Sequence, residues 1–138
     1  MAGLPEWALA GLAIVLCLAA WLVIGSMILD RSLRRTAAKR PNIGREDFLA
    51  AMSSAGVRDE AAAFLLDTVL FYVRPQLTPH PDDVLGSDLP IDDGDWSMDW
   101  PREFVREHGL QQDDLRAWPD GQAPSLVNYG RWLSAALD

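Results

Sequence analysis

The strongest feature of the hydropathy pattern is at the beginning of the chain. From Trp7 to Leu29 there is no charged residue, and Glu6 and Asp30 close the run on either side. A helix over this segment would be about 35 Å long, enough to cross a hydrocarbon core of about 30 Å with some tilt. Charged side chains are costly at bilayer depth, so their absence is the expected signature of a membrane span. A long core helix of a soluble domain should keep a polar stripe, and this segment is apolar all round. A cleaved signal peptide should open on a basic stretch and have a shorter apolar core, whereas Met1–Glu6 contains no Lys or Arg. Residues 1–30 are therefore expected to form an N-terminal transmembrane anchor, with Trp7 as an interfacial aromatic.

Beyond Asp30 the apolar positions recur at helical spacing. The first predicted helix covers Glu46–Ala55, with Phe48, Leu49 and Met52 on one face and Gly56 as its stop. The second covers Asp59–Arg74, with Phe64, Leu65, Val69, Tyr72 and Val73 as its stripe and Pro75 at its end. A loop over Gln76–Asp95 follows, broken by Pro79, Pro81, Gly86, Pro90 and Gly94. A third helix runs to His108 and stops at Gly109. Because of Pro101 it either begins near Ser97–Asp99 or is kinked there. One short turn is expected at Asp113–Trp118. A final helix covers Ser125–Leu137, with Ser125 as N-cap and Leu126, Tyr129, Trp132, Leu133 and Leu137 facing the core. No alternating β-branched run appears, so the fold class is all-α, a single transmembrane helix followed by a small helical bundle.

Charge adds orientation. Arg31, Arg34, Arg35, Lys39, Arg40 and Arg45 follow the span with no acid among them, and nothing basic precedes it. The positive-inside rule places the C-terminal part in the cytoplasm, which predicts a single-pass protein of the inner membrane with its N-terminus outside. Residues 31–45 read as a basic juxtamembrane linker. Arg31, Arg34, Arg35, Lys39 and Arg40 are its membrane-surface residues, each attracted to anionic lipid by about 1 kcal/mol when close to the bilayer. As a topology signal they need no further role. Residues 46–138 hold six arginines against eighteen Asp and Glu, a net charge of −12. Such a domain repels phosphate, so nucleic acid is not an expected partner, and a basic protein is. The single cysteine, Cys17, lies within the span and allows no intrachain disulfide.

The turn Asp88-Leu89-Pro90-Ile91-Asp92-Asp93-Gly94-Asp95, followed by a helix ending in Glu107-His108-Gly109-Leu110, resembles the acyl carrier proteins over about residues 59–137. Carrier proteins have Asp-Leu-Gly-x-Asp-Ser-Leu at this point, and the Ser carries the phosphopantetheine arm. Asp88, Leu89 and Asp92 match, Pro90 stands for the Gly, Asp93 for the Ser and Gly94 for the Leu. The sequence is more similar still to an uncharacterised bacterial family of carrier-like domains lacking that serine, in which the turn reads roughly Asp-Leu-Gly-Ile-Asp-Gly-Asp-Asp. The resemblance implies a carrier scaffold. An Asp carboxylate cannot form the phosphodiester that attaches the arm, so no cofactor is expected, and Ser87 and Ser97 are both displaced from the acceptor position.

The remaining chemistry is sparse. Asp82, Asp83, Asp88, Asp92, Asp93, Asp95 and Asp99 lie within eighteen residues that contain no base. A calcium loop fails, since setting Gly94 at its sixth position places Leu89 first and Trp100 twelfth, where carboxylates are required. A solvated acidic loop or a docking surface is favoured over a metal site. No nucleophile motif, phosphate loop or Cys/His metal spacing is present, and neither His80 nor His108 has an evident partner, so catalysis is not expected. Trp132 is expected in the core, while Trp96 lies beside the acids as a core or partner-binding residue. The expected function is a non-catalytic, membrane-anchored interaction module docking a basic protein through Asp88, Asp92, Asp93, Asp95, Asp99 and Trp96. The alternatives are an acyl carrier armed on an unusual Ser, or a membrane-anchored immunity or regulatory protein.

Overall fold

The computed structural model describes residues 3–73 and 77–138. Among them the regular structure is helical, with five α-helices and no strand. They are α1 (Glu6–Lys39), α2 (Arg45–Ser54), α3 (Asp59–Val73), α4 (Trp100–Glu107) and α5 (Leu126–Ala135). The chain forms two compact units, one ending at Arg31 and the other spanning Ser32–Asp138. The first is the apolar part of α1. Its large side chains, Trp21, Leu22 and Ile28 among them, are exposed, and by length and composition α1 can cross a membrane.

The second unit begins earlier than the composition suggests. The expected linker over 31–45 is helical as far as Lys39, because no Gly or Pro interrupts the run before Pro41. Leu33, Thr36, Ala37 and Arg40 are buried or half-buried, while Arg31, Arg34, Arg35, Ala38 and Lys39 are exposed. The inward set repeats at i, i+3, i+4 and i+7, the signature of one helix face against a core.

α2 and α3 form much of that core. The chain leaves α2 through Gly56 at φ +86, where the amide of Val57 reaches back to the carbonyl of Met52 at 3.0 Å. α3 opens on Asp59 and Glu60, which suit the positive end of a helix. Its described part ends at Val73, and the expected end at Arg74 with Pro75 as stop lies outside the described residues. Ala61, Leu65 and Val69 of α3 are fully buried with Phe48 and Met52 of α2 and Leu126, Tyr129 and Leu133 of α5. α5 approaches the turn after α2 so closely that a Cβ on Gly130 would lie 2.8 Å from a methyl of Val57.

The third predicted helix resolves the two alternatives at Pro101. Asp95–Asp99 forms one π-helical turn that runs directly into α4, and the amide of Trp100 donates to the carbonyl of Asp95. Proline has no N–H for the carbonyl four residues back and its ring crowds that carbonyl. The wider π-turn relieves that crowding, so the helix continues through Pro101. Trp100, Phe104 and Val105 face the core as expected, and Trp96 is half-buried. The short turn between the last two helices is a 3-10 turn at Gln112–Asp114, slightly before the expected place. Ser125 caps α5 by accepting from the amide of Asn128 at 3.2 Å.

Candidate interaction surface

The described part of the loop between α3 and α4 is tied down by backbone hydrogen bonds. Leu85 N–H donates to Pro124 at 2.9 Å, Leu126 N–H to Asp83 at 2.9 Å and Val127 N–H to Pro81 at 3.0 Å. These bonds pin the loop to the start of α5. The reversal at Gly86, with φ +88, lets its amide reach the carbonyl of Leu89 at 2.8 Å. Asp88 braces the same turn. Its carboxylate accepts from Val84 N–H at 2.9 Å, and its carbonyl accepts the Thr36 hydroxyl.

The predicted docking acids occupy the next segment. Asp92 accepts from Gly94 N–H at 2.8 Å, and Asp93 accepts from the indole N–H of Trp96 at 3.1 Å. Both carboxylates are otherwise exposed, as is Asp99, and Asp95 is half-exposed. Asp88 is set apart from these four by its structural bonds. Among the described residues no Lys or Arg forms an ion pair with Asp92, Asp93, Asp95 or Asp99. Nor, among the described residues, are three or more His, Cys, Asp or Glu arranged to hold a metal ion.

Asp83 belongs with these acids by sequence and behaves differently in the fold. It is 4 % exposed, and both of its carboxylate oxygens bind Arg40, Nε at 2.9 Å and Nη2 at 2.5 Å. His80 N–H adds a third bond at 2.9 Å, and Arg40 also donates to the carbonyl of Thr78 at 2.8 Å. The structure thus holds the Arg40 guanidinium within the domain, whereas Arg31, Arg34, Arg35 and Lys39 lie on the exposed face of α1. The Arg40–Asp83 pair is a structural element that sequence reasoning missed. The signal for it was the inward stripe at Leu33, Thr36, Ala37 and Arg40.

The tryptophans surround Tyr129. Its ring lies 6.1 Å from Trp96, 6.0 Å from Trp100, 5.7 Å from Trp118 and 5.4 Å from Trp132. Trp132 packs against the core but stays half-exposed, with its indole N–H bound to the carbonyl of Arg116 at 2.8 Å. Trp96 belongs to the same cluster, and its carbonyl accepts the Tyr129 hydroxyl.

A groove of about 650 Å³ runs between α3 and α4. Phe64, Phe71, Tyr72 and Trp100 supply its aromatic lining, and Asp67, Asp99, Glu103 and Glu107 its carboxylates. Asp67 pairs with Arg45 at 2.6 Å, which pushes the Arg45 guanidinium pKa up through the hydrogen bond and the charge beside it. Both partners are exposed, so the pair adds little stability. Glu103 pairs with Arg106 one turn along. His108 stacks on Phe104 with ring centroids 4.2 Å apart. Comparison with protein-family models, curated proteins and solved structures finds no match for this chain.

Proposed function

We propose that the protein is a non-catalytic interaction module, anchored in the inner membrane by α1, whose cytoplasmic domain docks a basic protein partner. The observation that carries this reading is the run of exposed or half-exposed carboxylates at Asp92, Asp93, Asp95 and Asp99, unpaired with any described cation beside a half-buried Trp96. Like charges so close repel one another, and a basic partner relieves that repulsion while being steered toward it. A carrier-like scaffold is part of the proposal. Its support is the order of elements: a long helix α3, a long loop, a helix preceded by the Asp88–Asp93 turn, a short 3-10 turn and a final helix α5. Asp93 begins the helical backbone at the position the resemblance gives to the arm-bearing Ser, which accords with a scaffold used without an arm.

Sidedness is tested by fusing a reporter that is active only outside the cytoplasm after Asp138. Inactivity is expected because the basic residues follow the span, and activity would reverse the proposed orientation. Docking is tested by a pull-down from membrane extracts with Asp92, Asp93 and Asp95 all changed to Asn. The Asn side chains can keep the bonds to Gly94 and Trp96, so the variant should remain folded. It should lose most of the partner captured by the wild type, and wild-type capture should fall as salt rises past about 0.15 M, where the screening length is about 8 Å. Undiminished capture by the variant, indifferent to salt, would reject the acidic loop as a docking surface.

A further inference from the structure

We infer that the α3/α4 groove is the seat of that partner, and that it takes an amphipathic basic segment, one presenting an apolar side chain beside Arg or Lys. The inference rests on the proposed function for the basic character of the partner and adds the place and the shape of the contact. Phe71 is 86 % exposed on the groove, an unusual cost for an aromatic side chain outside the apolar part of α1. Among the described residues of the second unit, the other exposed large apolar side chains are Tyr72, its neighbour on the same groove, at 36 %, and Met98, which adjoins Asp99, at 54 %. The ring of Phe71 meets Tyr72 at 5.6 Å and Tyr72 meets buried Trp100 at 5.9 Å, so the lining is one connected aromatic surface. The indole N–H of Trp100 is buried without an acceptor among the described residues.

Charge selects the occupant. Asp99, Glu103 and Glu107 follow one another at i, i+4 and i+8, which places three like charges along one helix face, an arrangement that destabilises the free helix. Arg106 offsets Glu103, but no ion pair among the described residues offsets Asp99 or Glu107. A cation between them removes the repulsion, and an Arg or Lys stem can also lie along the aromatic wall. A second copy of this chain meeting it groove to groove is a poor occupant, because it would bring the same carboxylates against these. An anionic lipid surface is excluded by the same sign of charge.

The test uses the full chain in phosphatidylcholine nanodiscs, with empty nanodiscs subtracted. The probe is a fluorescent synthetic helix with leucines on one face bordered by arginines. Two companion peptides replace the leucines by serines or the arginines by glutamates. Phe71→Ala, and separately Asp99→Asn with Glu107→Gln, should each raise the dissociation rate of the leucine–arginine peptide about tenfold, because they remove contacts made in the complex. These side chains are exposed, and circular dichroism should show both variants folded. Asp92, Asp93 and Asp95 changed to Asn should instead slow association and leave dissociation near wild type, since distant charge acts on encounter. The serine and glutamate peptides should bind at least about tenfold more weakly than the parent. Unchanged dissociation from the groove variants overturns the groove, and if the loop variant then loses binding the acidic-loop reading survives it. Equal binding of the serine peptide overturns the groove as well, by reducing the contact to charge. Failure of the wild type to bind the parent peptide overturns the groove too, and the pull-down then decides the proposed function separately.

Discussion

Asp83→Ala should destabilise the domain by about 3–5 kcal/mol, the usual consequence of removing one partner from a buried ion pair. Arg40 and Asp83 retain only 14 % and 5 % of their side-chain exposure. Without Asp83 the guanidinium keeps the Thr78 carbonyl and a long contact of 3.3 Å to Asn42, which do not compensate a buried charge. The amide of His80 loses its acceptor at the same time. Urea unfolding of the full chain in detergent, followed by tryptophan fluorescence, measures the effect. Asp67→Ala is the matched control. It removes a carboxylate from an arginine at a similar distance on the surface, and should cost far less. Equal effects of the two substitutions would show that burial does not set the strength of the Arg40–Asp83 pair.

Tyr129→Ala should be comparably severe, at about 3–5 kcal/mol, because it empties the centre of the tryptophan cluster. Tyr129→Phe keeps the ring and loses the hydroxyl bond to the Trp96 carbonyl, which should cost about 1 kcal/mol. The two variants also separate on a pH axis. Burial pushes the Tyr129 phenol well above its ordinary range, so the folded protein keeps a proton that the unfolded chain releases near about pH 10. The stability linked to this group is therefore complete below about pH 10 and declines as pH rises beyond it. Tyr129→Phe should flatten that decline, seen as a smaller alkaline loss of the near-ultraviolet tryptophan signal. A decline identical to wild type would assign the alkaline loss to other groups.

The helices were legible because each carries its own periodicity and stop. Phe48 and Met52 before Gly56, and Leu126, Tyr129 and Leu133 after Ser125, lie on the faces the spacing predicts. The form of the helix at Pro101 was left open by the pattern, since a proline announces the crowding but not whether the helix starts there or widens into a π-turn to pass it. The site was less legible. The acids from Asp92 to Asp99 stay exposed or half-exposed in the fold, but Asp83 carries the same carboxylate and is buried. What separates them is Arg40, which is forty-three positions away in sequence. The groove was hidden for the same reason: Phe71 and Glu107 belong to different helices, and its lining emerges only when α3 and α4 pack.

The stripe at the end of α1 bears on how such a protein can be taken apart. A boundary at Glu46, where the acidic composition begins, would leave Leu33, Thr36 and Arg40 with the apolar helix. The remainder would lose a wholly buried leucine, the hydroxyl donor to Asp88 and the cation facing Asp83. The apolar helix and the domain are therefore not interchangeable cassettes. A recombination that gave this domain a different apolar segment would have to join upstream of Ser32, carrying the last turns of the helix along as part of the cargo.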